Sequence, residues 1–187
     1  MADLSDKRVA ILAADGFEQS ELMVPKQRLE ETGAAVDIIS LKTGEIWGWK
    51  DGDWGDPIEV DRTIDAVRID EYDALVIPGG VLNPDLLRRD EDAVALVRDF
   101  YDSKKPLAAI CHAPWVLIEA GIAKGRKMTS FGSMATDVKN AGANWIDKEV
   151  VVDQGLITSR NPGDLEAFSA KIIEELAEGE HERRAVA

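Results

Sequence analysis

An α/β fold built on a mostly parallel sheet follows from three features of the sequence. Short apolar runs alternate with segments of helical periodicity, the runs are apolar at consecutive positions as in strands covered on both faces, and they end in turns of Gly, Asp and Pro. The first run, Lys7 to Ala14, is bounded by charges and then by Asp15-Gly16. From about Gln19 to Thr32 the spacing is helical; Gly33 closes the segment, and Pro25 inside it should kink the helix or mark its true first turn. Val36 to Ser40 is strand again. The unit then repeats: a strand from Ala74 to Ile77 before Pro78-Gly79-Gly80, a helix across about Glu91 to Ser103, a strand from Leu107 to Ile110, and a helix from about His112 to Ala120. Right-handed crossovers between parallel strands place such helices on both faces of the sheet.

After Gly121 the pattern changes. Short β-like pieces at Lys127 to Ser130, Val150 to Asp153 and Leu156 to Ser159 surround a small helix near Thr136 to Ala141. A last amphipathic helix, from about Asp164 to Ala177, opens on the turn Asn161-Pro162-Gly163-Asp164. No repeat or linker interrupts the chain, so residues 1–187 are expected to form one domain with an ordered core over about 5–178, and the polar residues 179–187 to fray. One segment resists this scheme. Thr43 to Pro57 holds three of the five tryptophans, including Trp47 and Trp54, among turn-forming Gly and Asp. It reads equally as a satellite cluster folded back on the domain and as an interface between subunits, where Trp is enriched.

Composition excludes several function classes. A formal charge of -14 repels phosphates, and no Lys/Arg cluster interleaved with aromatics offsets it, so neither nucleic acid nor an anionic membrane is expected as a partner. With one cysteine no intrachain disulfide is possible, which fits a reducing, cytoplasmic location. The N-terminus lacks the basic and apolar regions of a signal peptide. His112 and His181 are the only histidines, and the second falls in the charged tail, so no metal site and no cofactor are expected.

In open α/β sheets, sites form beyond the carboxyl ends of the strands. Three such ends carry unusual residues: Asp15-Gly16-Phe17-Glu18, Pro78-Gly79-Gly80 and Cys111-His112-Ala113-Pro114. At the last, an apolar strand runs into a helix with Cys111 at the junction and small residues two positions to either side, the pattern of a nucleophile elbow. A helix N-terminus there favours thiolate, the His112 N–H would face an oxyanion, and a second N–H would come from Gly79 or Gly80. The alternative is an inert buried cysteine; the junction and the Gly-Gly pair favour the nucleophile. Glu18 would face the same cleft, where burial and a nearby thiolate would keep it protonated and donating to sulfur, but a carboxylate near the start of a helix fits the spacing as well. His112, adjacent to Cys111, is not an obvious general base, because neighbouring helical side chains diverge. It needs an orienting acid. Asp85 is available after Asn83-Pro84, although an Asp there is also what a turn or helix start requires.

The order and spacing of VAILAADGFEQSEL, YDALVIPGGVLNPDLLR, AICHAPWVLIEAG, GRKMTSF, DVKNAGANW, EVVVD and TSRNPGDLEAF resemble the ThiJ/PfpI superfamily, nearest its PfpI-type intracellular protease and general-stress-protein branch. The resemblance covers nearly the whole chain. It implies a flavodoxin-like three-layer sandwich, shared with the class I glutamine amidotransferase domain, and homodimers or larger homo-oligomers. It also implies that Cys111 is the nucleophile, that Glu18 is the acid touching the sulfur, and that His112 pairs with an acid from a neighbouring subunit at the position of Asp85. Ala113 departs from the family's usual Gly. The function expected is a cysteine-dependent stress-response hydrolase acting on glyoxal or methylglyoxal adducts of proteins. An intracellular peptidase with an intersubunit Cys-His-Asp triad and a non-enzymatic protein oxidised at Cys111 are the alternatives.

Overall fold

The computed structural model describes residues 3–181. Its centre is a seven-stranded sheet. In chain order the elements are β1 (Arg8–Leu12), β2 (Phe17–Glu18), α1 (Gln19–Glu30), β3 (Ala35–Ser40), β4 (Glu45–Lys50), β5 (Asp53–Glu59), β6 (Arg62–Thr63), β7 (Ala74–Ile77), α2 (Leu82–Arg88), α3 (Glu91–Asp102), β8 (Leu107–Ile110) and α4 (Pro114–Glu119). After these come β9 (Lys127–Met128), α5 (Ala135–Asn140), β10 (Asn144–Trp145), β11 (Val150–Asp153), β12 (Leu156–Ser159) and α6 (Leu165–Glu178). The order across the sheet is β11-β12-β8-β7-β1-β3-β6, parallel throughout except for β11, which pairs antiparallel with β12.

Side chains alternate across a strand, so each central strand feeds two cores. Val9 and Ile11 of β1 pack with Leu22 and Leu29 of α1 and with Phe168 and Ile172 of α6 on one face. Ala10 and Leu12 pack with Val97 and Phe100 of α3 and Val116 and Leu117 of α4 on the other. Two buried faces explain why these strands read as unbroken apolar runs, and the result is the flavodoxin-like three-layer sandwich. In the register of the sheet Ile11 stands beside Val76, and Val76 beside Ala108, so the ends of β1, β7 and β8 lie abreast and their three turns share one rim.

The structure departs from the sequence reading in four places. Pro25 lies buried inside α1 without ending it. The tryptophan segment is a β4–β5 hairpin turning at Asp51-Gly52, both with positive φ, and it joins β2 in a separate three-stranded sheet. A helix, α2, stands after the Gly-Gly turn, where the sequence suggests only a loop or helix start. The helix after Cys111 begins at Pro114, because residues 111–113 form a turn of their own. Of the tail expected to fray, residues 182–187 lie outside the described residues, while His181 is held by a hydrogen bond from its N–H to the Lys104 carbonyl at 2.9 Å.

Asn83 ties the rim together. Wholly buried in the first turn of α2, it accepts from the Ala14 N–H at 2.7 Å and donates to the carbonyls of Pro78 at 2.8 Å and Gly79 at 3.1 Å. It thus joins the loop after β1 to the loop after β7. Asn83→Ala strands these groups away from water, and urea unfolding should show a loss of about 2–4 kcal/mol. A loss below about 1 kcal/mol would mean that the loops hold their places without it.

Candidate active site

Cys111 occupies the sharpest point of the rim. Its φ is +64°, a left-handed conformation uncommon for a residue with a side chain, held by the Cys111 N–H donating to Ser159 O (3.1 Å) and the Phe131 N–H donating to Cys111 O (2.9 Å). These bonds anchor the turn to β12 on one side and to the loop before α5 on the other. The side chain thereby points to the floor of a cavity of about 700 Å³, walled by Trp49, Val81, Leu82, Trp115 and Phe131. The thiol is less open than an elbow suggests, since Cys111 is only 6% exposed.

The acid that meets the sulfur is Glu21, in the first turn of α1. It is fully buried, its Oε2 accepts from the Gly79 N–H at 2.9 Å, and its Oε1 is buried without a hydrogen-bond partner, while the carboxyl and the Cys111 thiol shift each other's ionisation. Glu18 lines the cavity mouth instead and pairs with the Ser20 hydroxyl at 3.4 Å. The physical reason is the direction of α1: a side chain just before the helix leaves along its edge, whereas Glu21 shares the buried face of Pro25 and Leu29. Sequence reasoning missed Glu21. The available signal was a carboxylate on that apolar stripe, four residues before Pro25.

Gly79 and Gly80 do different work from the pair expected. The Gly79 N–H is taken by Glu21, so it cannot hold a reacting oxygen. A Cβ on Gly79 would meet the Glu21 carboxylate and stand 2.5 Å from Cys111 Cβ, so the absence of a side chain lets acid and thiol meet. Gly80, with φ +80°, directs its N–H at the sulfur together with that of His112. A Cβ there would lie 2.5 Å from the Gly16 carbonyl oxygen. The donors converging on the sulfur are therefore Gly80 and His112.

His112 reaches the sulfur after all. Because residues 111–113 form a turn rather than helix, its Nδ1 stands 3.1 Å from Cys111 Sγ. The ring is stacked on Phe131, edge-on to Trp115, and its Nε2 lies 3.4 Å from Ser133 Oγ. Burial lowers its pKa, which favours neutral imidazole. Asp85 lines the same cavity, but its Oδ1 accepts from Arg88 Nε and from the terminal guanidinium nitrogen Nη2 at 3.0 and 2.7 Å; it has no bond to His112 within this chain. Arg88 in turn covers the Trp115 ring at 4.7 Å.

Burial first, then the charge of Glu18, raises the Glu21 pKa to about 8 against the opposing influence of Gly79, Cys111 and Gly80. Burial and the Glu21 charge likewise push the Cys111 thiol up, despite the N–H groups of Gly80 and His112. The simple low-pKa thiol expected from the helix N-terminus is thus replaced by a coupled pair. When Glu21 keeps its proton, its charge is gone and it can donate to sulfur; the two groups titrate as a unit.

This coupling has a kinetic signature. As pH rises through about 8 the pair loses one proton, and the remaining negative charge resists loss of the second, so iodoacetamide labelling of Cys111 should rise to a plateau near pH 8. Glu21→Gln should abolish the plateau, leaving a rate that continues to climb. Glu18→Gln removes a neighbouring charge, lowers the Glu21 pKa and should move the plateau to lower pH. Identical profiles in all three proteins would contradict the coupling.

Residues 7–175 match the model of the DJ-1/PfpI family. Among similar proteins, a Thermococcus kodakarensis protein named deglycase TK1284 is 47% identical over 166 residues, covering 89% of this chain and 97% of its own. Bacillus subtilis general stress protein 18 is 42% identical over 168 residues, covering 89% and 96%. The crystal structure of Drosophila melanogaster DJ-1beta superposes with a TM-score of 0.84 at 32% identity, covering 95% of this chain and 91% of that one. Fold, extent of match and identity agree: the chain belongs to the DJ-1/PfpI family.

Proposed function

We propose that this protein is a cysteine-dependent hydrolase that removes glyoxal and methylglyoxal adducts from proteins. The observation that carries the reading is the convergence of Glu21, His112 Nδ1 and the N–H groups of Gly80 and His112 on one buried sulfur at the floor of an apolar cavity. The deglycase name of the Thermococcus relative agrees with it. In the hemiaminal adduct the hydroxyl proton passes to nitrogen, the C–N bond breaks and the amine leaves as the aldehyde re-forms; thiolate then adds to that aldehyde carbon, and the two N–H groups lie beside the oxygen that gains charge. Neutral His112, in contact with the sulfur, is placed to take the proton from that carbon and return it to the adjacent carbon while the hydroxyl proton moves to that carbon's oxygen, which converts the thiohemiacetal into a thioester with no external oxidant. Water then cleaves the thioester to a hydroxy acid and restores the thiol.

A peptidase makes a further demand, because an imidazole must be oriented by an acid to protonate a leaving amine. Here Asp85 is engaged by Arg88, and Ser133 lies beside Nε2. An acid for His112 would have to come from a second copy of the chain, so the adduct-removing reading is preferred. We also place the protein in a homo-oligomer, through the hairpin that exposes Trp47, Trp49 and Trp54, the last at 51%. Among the described residues no helix is long and apolar enough to cross a membrane.

Purified protein mixed with a methylglyoxal-modified peptide should release hydroxy acid and restore the free amine, and Cys111→Ala should lower the rate on the order of 10³-fold or more. Equal rates for the two proteins would overturn the proposal. For the assembly, replacing Trp47 and Trp54 together by Lys should shift the mass measured by light scattering toward that of one chain. An unchanged mass would assign the interface to another surface.

A further inference from the structure

The end of α6 carries a cluster of groups that the Cys111 cavity does not use. Glu175 and Glu178 lie three residues apart in the last turn of α6. The chain leaves the helix at Gly179, whose φ of +86° turns it sharply, and His181 comes back over the helix end. That return is anchored: the His181 N–H donates to the Lys104 carbonyl at 2.9 Å, and the ring lies against Gly155, where a Cβ would come within 2.7 Å of ring Cδ2. One ligating atom each from Glu175, Glu178 and His181 lies within 4.8 Å of the others.

Glu175 is 6% exposed, and its Oε2 stands 3.1 Å from His181 Nε2. Both atoms are buried and neither has a hydrogen-bond partner; at this distance they form an ion pair only when the imidazole is protonated. A buried carboxylate oxygen and a ring nitrogen that close, with no hydrogen bond joining them, are disposed like two ligands of one ion. Bonds of about 2.0–2.2 Å in a tetrahedron set such ligands roughly 3.3–3.5 Å apart. The carbonyls at the helix C-terminus add to the attraction for a cation.

We propose that Glu175, Glu178 and His181 bind a divalent transition-metal cation of the zinc class, with solvent completing its coordination. Two carboxylates and a neutral imidazole match the charge of such an ion, and the imidazole favours it over magnesium or calcium, which take oxygen ligands. The bound ion clamps the returning chain end to α6 and against the β11–β12 turn. A count of histidines predicts no metal site, because it leaves His181 in a loose tail; the turn at Gly179 makes it a neighbour of two glutamates.

The test uses the full chain carrying Cys111→Ala, so that no thiol competes for metal. Competition with a chromophoric chelator should show one equivalent of Zn²⁺ bound, and Co²⁺ should give the intense visible absorption of a tetrahedral site. Zinc at about a hundredfold excess over its Kd should raise the Tm by roughly 5–10 °C. Adding His181→Ala, a change at the edge of the fold, should weaken Zn²⁺ binding at least about tenfold and abolish the Tm shift. Absence of binding would overturn the proposal, as would equal affinity with and without His181. A crystal structure grown with Zn²⁺ that shows only a water between Glu175 and His181 would overturn it too.

Discussion

A carboxyl group buried against a thiol is costly unless the surrounding backbone is built for it. Glu21 is fully buried, receives the Gly79 N–H, and faces Cys111 across the gap left by the missing Gly79 side chain. Most features of the rim serve that contact. The β1–β7–β8 order brings the three turns abreast, Asn83 fixes the spacing of the first two, and the positive φ of Cys111 swings the thiol into the space beside Glu21.

Burial opposes charge on both groups, so neither ionises as it would in water. Sharing a proton resolves the conflict: the acid that loses its charge becomes a donor, and the thiolate gains that hydrogen bond beside the N–H groups of Gly80 and His112. The apolar walls of the cavity preserve the low dielectric on which this coupling depends. Adjacent His112 is neutral for the same reason, which suits it to moving protons rather than to holding a permanent charge.

Much of the fold was legible because its signal is local. Strands covered on both faces must be apolar at consecutive positions, and β1, β7 and β8 are. Cys111, Gly80 and His112 were legible from the strand-to-helix junction and the Gly-Gly turn. What escaped depends on direction rather than spacing. Glu18 and Glu21 are three residues apart, and only the start and orientation of α1 decide which enters the core. His112 was not an obvious general base because helix geometry was assumed across a turn that is not helical. The tryptophan segment resisted assignment because β4 and β5 are half exposed and pair with β2, two residues long, for which no periodic pattern exists. Within one chain Asp85 is held by Arg88, a contact between helix neighbours that residue type does not reveal.

The central claim, that Glu21 carries a proton beside Cys111 near neutrality, is best tested by infrared spectroscopy of the carboxylic acid C=O stretch. At pH 7, below the Glu21 pKa of about 8, the protein should show a protonated buried carboxyl band that is missing in Glu21→Gln. Absence of that band at pH 7, or its survival unchanged in Glu21→Gln, would contradict the account.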